Sequence, residues 1–110
     1  MTMPVLYLGE DWTIPVQALI NGAPPPGGVI GCTVLAGLVH PTSELLLVGP
    51  VTVDLGHPLG NPSVGLVVPV FTAAAIAAGA VLPGSLLLEV VIDGQTWQRA
   101  PLRIMRGAIP

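Results

Sequence analysis

Ser85-Leu-Leu-Leu-Glu-Val-Val-Ile92, then Asp93-Gly94, then Gln95-Thr-Trp-Gln-Arg-Ala-Pro-Leu-Arg-Ile104: two strand-like runs joined by two turn residues decide how this chain folds. A type I′ turn needs positive φ at both central residues, and Asp-Gly provides it, so the stretch predicts an antiparallel hairpin. Pro83-Gly84 opens it. The rest of the chain follows the same grammar of short β-branched or Leu-rich runs separated by Gly, Pro and Asn, the pattern of an all-β sandwich or barrel. Upstream runs are Val5 to Leu8, Trp12 to Ile20, Val29 to Val39, Glu44 to Val48, Val51 to Leu55 and Val64 to Val70. Alternation puts Trp12, Ile14, Val16 and Ala18 on one inward face, with an edge or bulge at Pro15, which cannot donate to a ladder. In the third run Ile30, Cys32, Val34, Ala36 and Leu38 share a face, while the other face is itself largely apolar.

The punctuation falls where turns are needed. Asn21-Gly22 and His40-Pro41-Thr42-Ser43 are turns, Gly49-Pro50 stops the fourth run, and Ala23 to Gly28 is a stiff proline-rich connection. Gly56 to Ser63, GHPLGNPS, is dense enough in turn formers to be an exposed loop. One segment has helix propensity: Thr72-Ala-Ala-Ala-Ile-Ala-Ala-Gly79, with Thr72 as N-cap and Gly79 as the C′ residue. A helix that short is marginal alone in water and must lie against the sheets.

The 110 residues fit one domain, 1–110, with no linker-like change in composition. Apolar residues make up 52% of the chain, more than one small core hides, so self-association is expected. The only cations are Arg99, Arg103 and Arg106, at a net charge of −3, too few for a phosphate-tracking surface, so no nucleic acid partner is expected. Val64 to Ile92 is apolar, but Pro69, Gly79, Pro83, Gly84 and Glu89 interrupt it, so no membrane span is expected. The start, MTMPVLYLGEDW, lacks the basic n-region of a secretory signal.

Chemistry is sparse. Asp54 precedes His57 by three residues, and His40 and Cys32 complete an imaginable zinc set, yet the spacing of such sites is missing and no metal or cofactor is expected. Ser43 and Ser63 lack a nucleophile elbow, and the adjacent Glu10 and Asp11 point to opposite faces of a strand, a poor acid–base pair. Gly27-Gly28 and Gly56 to Gly60 lack the lysine and helix of a phosphate loop. The chain is therefore read as non-enzymatic, with no catalytic residue. Trp12 belongs to the core by its alternation, whereas Trp97, between Thr96 and Gln98-Arg99, divides between burial and partner contact. Trp97, Arg99, Arg103 and Arg106 are the candidate interface residues, and the basic end set against acidic Glu10 and Asp11 offers a head-to-tail contact between copies.

In layout the chain resembles the immunoglobulin-like domain of bacteriophage upper baseplate and tail-fibre proteins. Gly9-Glu10-Asp11-Trp12-Thr13-Ile14-Pro15-Val16 is similar to its opening strand, and Asn21-Gly22-Ala23-Pro24 to the turn that follows. Val29 to Val39 is similar to its long second strand, Phe71-Thr72 to Gly79 to its threonine-led helix, and Gly84 to Thr96 to its closing hairpin. The resemblance implies an immunoglobulin-like antiparallel β-sandwich of about seven strands with one short helix near 72–79. It also implies a structural role in the virion, in tail, baseplate, neck or fibre, with other virion structural proteins and further copies as partners. The family's domain heads longer proteins, and with nothing following Pro110 the expectation becomes an adaptor, connector or capsid decoration subunit. A different class of function, sugar binding or adhesion, would use loops 40–43 and 56–63, which are poor in the Asp, Asn and aromatic residues that clamp sugars.

Overall fold

The computed structural model describes residues 4–19 and 22–106. Chain order is β1 (Val5–Tyr7), β2 (Trp12–Thr13), β3 (Val16–Gln17), β4 (Val34–Val39), β5 (Leu46–Thr52), a 3-10 turn (Pro62–Val64), β6 (Leu66–Val67), β7 (Val70–Phe71), α1 (Ala73–Ala78), β8 (Gly84–Ile92) and β9 (Gln95–Met105). The hairpin expected at Asp93-Gly94 is β8–β9, and φ is positive at both turn residues, 49° and 82°. It stands inside a five-stranded sheet of order β1-β9-β8-β4-β5.

Opposite this sheet lies a narrow second layer. Trp12 to Ala18 runs antiparallel to Gly65 to Phe71, as β2 with β7 and β3 with β6. Pro15 and Pro69 cannot donate to a ladder, so the two long runs expected here are each split into a pair of two-residue strands. The Ile14 amide still donates to the Pro69 carbonyl and the Ala18 amide to the Gly65 carbonyl, which carries the ribbon across the breaks. The inward face read from alternation is real: Trp12, Ile14, Val16 and Ala18 are all buried. They meet Val67 and Phe71 of their own layer and, from the sheet, Val34, Ala36, Leu38, Leu86, Leu88, Val90, Leu102 and Ile104. Among the described residues no charged or polar residue is buried in this core. Hydrophobic burial is therefore its main source of stability, at roughly 1.5–3 kcal/mol for each large side chain taken out of water. The fold is all-β and sandwich-like.

Several expected boundaries move. The third run becomes a strand only at Val34, because the backbone takes positive φ at Gly27, Gly28 and Gly31 and folds into turns. Gly28 sits against the backbone of Pro62 and Ser63 with no room for a Cβ, and this contact pins the turn to the 3-10 segment. Ile30 consequently leaves the inward face and is 65% exposed, while Val29 is buried. Gly49-Pro50 does not stop a strand: β5 runs through it, and bulges in the β4–β5 register around Leu38 absorb the irregularity. The first strand pairs with the last in parallel, Val5 beside Arg103, so the sheet is not wholly antiparallel; the nine described strands amount to seven runs once the two proline-split pairs are joined. No hairpin links β1 to β9, so connectivity does not impose an antiparallel arrangement.

The helix forms where its composition placed it. The Thr72 hydroxyl accepts from the Ala75 amide at 3.2 Å, as an N-cap should, and Ile76 is its buried residue. At the other end Gly79 is the C-cap with φ −78°, and the left-handed residue is Ala80, φ 53°. Gly79 is needed for closeness instead: a Cβ there would collide with the Leu47 carbonyl of β5. Asn21 of the expected Asn21-Gly22 turn lies outside the described residues. No helix of the described residues is long and apolar enough to cross a membrane.

Candidate interaction surface

Arg99, a candidate interface residue, is engaged within the chain. It stands opposite Glu89 in the β8–β9 register, its Nε donating to Glu89 Oε1 at 3.0 Å, and its Nη1 donates to Glu44 Oε1 at 2.6 Å. Glu44, first, and Glu89 hold the guanidinium charged, above its ordinary range. Glu44 sits in the β4–β5 turn at φ 59°, so one side chain ties three segments across the outer face of the sheet. Solvent screens these exposed pairs, and their role is geometric registration more than stability.

Trp97 occupies a β-bulge. The register passes from Val90 beside Gln98 to Val91 beside Thr96, which leaves Trp97 as the extra residue. It is half-buried and packs against the core, with part of the ring left at the surface. Its neighbour Gln98 is the residue that sequence reasoning passed over. Gln98 faces the core side with Ala100 and Leu102, and its Oε1 is buried without a hydrogen-bond partner. The signal was weak: a glutamine between Trp and Arg reads as a solvated strand position unless the bulge is known.

Gln98 lines a cleft of about 450 Å3 between the two layers, closed by Ile14, Val16 and Leu19 on one side and by Ala100 and Leu102 on the other. The narrow ribbon leaves this side of the sandwich open. Along the same side β1 pairs only with Arg103 to Met105, so among the described residues the edge of β9 that faces away from β8 carries no strand from Gln95 to Leu102. Pro101 lacks an amide and blunts that edge in part. The opposite edge, β5, is covered at Leu47 by the end of α1. A smaller hollow of about 230 Å3 lies on the outer face, lined by Leu35, Gly37, Leu46, Pro50 and Val91.

Arg103 and Arg106 are exposed and make no salt bridge among the described residues. The parallel pairing of β1 with β9 places Tyr7 beside Met105, so Glu10 and Arg106 emerge at the same end of the sheet and not at opposite poles. Asp11 is also not a free acid: its Oδ1 accepts from the Ala73 amide at 2.7 Å and caps α1 across the fold. Exposed leucines stand at the loops, Leu82 at 73%, Leu45 at 64% and Leu59 at 60%. Cys32 is half-buried beside Asp93, and its thiol is pushed above its ordinary value by burial first, then by the hydrogen bond and negative charge of Asp93. His40 and His57 lie in separate turns, and among the described residues no three His, Cys, Asp or Glu side chains gather as a metal site would require. Compared with models of protein families and with curated proteins, the chain matches none.

Proposed function

We propose that this chain is a non-enzymatic assembly subunit of a bacteriophage particle, joining neighbouring copies and other virion proteins through apolar surface and an open strand edge. The observation that carries the assembly role is the open edge of β9 running beside an apolar cleft that holds an unpartnered glutamine oxygen. An extended neighbouring segment laid along β9 would complete the ladder, send an apolar side chain into the cleft and offer a donor to Gln98 Oε1. The phage setting rests on the resemblance of layout given above.

Sedimentation of the purified chain across concentration tests the assembly role. Concentration-dependent association that Leu19→Glu weakens, by placing a charge at the cleft mouth, supports it. Reversing Arg103 and Arg106 to Glu tests whether their charge contributes to the same contact. A compact monomer at every concentration overturns the contact between copies. Mass spectrometry of purified particles tests the setting, which is lost if peptides of the chain are absent from them.

A further inference from the structure

His40 and His57 hold two turns by the same device. His40 Nδ1 accepts from the Thr42 and Ser43 amides at 3.2 and 3.1 Å, and His57 Nδ1 accepts from the Leu59 amide at 3.1 Å. An imidazole nitrogen accepts only through its lone pair, so in both rings Nδ1 carries no proton and the N–H lies at Nε2. The turns they hold present two of the most exposed leucines. The Leu45 carbonyl accepts from the His40 amide, closing the first turn, and the Leu59 amide is itself the donor to His57.

We propose that His40 and His57 are proton-operated latches on the leucine-bearing turns 40–45 and 57–60: a proton placed on Nδ1 ends three hydrogen bonds donated by backbone amides and loosens both turns, which keep their backbone–backbone bonds. The charged groups around the first latch are Glu44 on the turn, Arg99 from β9 and Glu89 from β8, and Arg99 already occupies both carboxylates. Around the second is Asp54, whose Oδ1 accepts from the Gly56 amide. The Leu66 to Val68 segment packed against that turn at Gly60 carries no ionisable side chain. If the leucines take part in assembly, contact between copies becomes acid-sensitive. That consequence rests on the proposed function, whereas the latch does not.

Nuclear magnetic resonance of the dilute full chain tests the latch. At neutral pH the ring nitrogens of both histidines should report the Nε2–H form. On acidification the Thr42, Ser43 and Leu59 amides should lose about five- to tenfold of their exchange protection after correction for intrinsic rates, the size expected for one turn hydrogen bond. Core amides such as Leu38 and Leu88 should keep theirs. His40→Asn and His57→Asn supply an acceptor that does not titrate, and should remove the pH response while keeping the turns closed. Nδ1–H rings at neutral pH, or amides indifferent to pH, overturn the latch. If a variant fails to fold, the ring signals of the unsubstituted chain decide alone. A chain that is monomeric at both pH values yet shows titrating turn amides keeps the latch and removes only the assembly reading.

Discussion

Asp11 shows how one side chain can serve a distant element. Its carboxylate and the Thr72 hydroxyl satisfy two of the amides that the first turn of α1 leaves without partners, Ala73 and Ala75. Asp11→Ala and Thr72→Ala should each lower stability by about 1 kcal/mol in urea denaturation, and the double variant should leave the helix end open to exchange. Cys32 gives a second residue-scale expectation. With its thiol held protonated by burial and by Asp93, it should be alkylated more slowly than an unstructured thiol at mildly alkaline pH, and Asp93→Asn should speed the reaction. The sign for stability follows: below the ordinary thiol value near 8.5 both states are protonated and nothing changes. Above it the unfolded thiolate is favoured, so stability falls as pH rises towards the folded value.

Among the elements, the ribbon carries the clearest mutational contrast. Phe71 is fully buried beneath Trp12, its partner in the β2–β7 register, while neighbouring Val70 faces solvent. Phe71→Ala should cost about 3–5 kcal/mol in equilibrium unfolding, whereas Val70→Ala should stay within about 1 kcal/mol. The features legible in the sequence are those with local causes. Asp93-Gly94 fixes its own turn, the 12-14-16-18 alternation declares its buried face, and Thr72 marks its helix. Features set by distant partners had no local mark. Nothing near Val5 foretells Arg103 beside it, and nothing near Asp11 foretells the Ala73 amide. Two carboxylates converge on Arg99 from separate strands and turns, and the bulge at Trp97 appears only once β8 is laid against β9. Val29 to Thr33 misleads for a subtler reason. Its β-branched residues favour a strand, but Gly28 and Gly31 let the backbone turn, and close packing of Gly28 on Pro62-Ser63 outweighs the propensity.

As a whole the molecule is asymmetric: a wide five-stranded sheet faces a two-stranded ribbon, and the apolar cleft follows from that mismatch in width. Filling the cleft should therefore stabilise the chain as well as join it to a neighbour. A thermal midpoint that rises with protein concentration, and does so less in Leu19→Glu, is the expected outcome. The parallel pairing of β1 with β9 has a mechanical consequence. The Pro4 carbonyl accepts from Arg103, and the Met105 carbonyl accepts from Leu8, so the first and last strands are clamped side by side and run the same way. Tension drawn between the two ends of the chain pulls these strands past each other and loads their hydrogen bonds together in shear, instead of peeling them one by one. Stretching the chain by its two ends should therefore require more force than unzipping a hairpin of the same length, an outcome that single-molecule pulling checks.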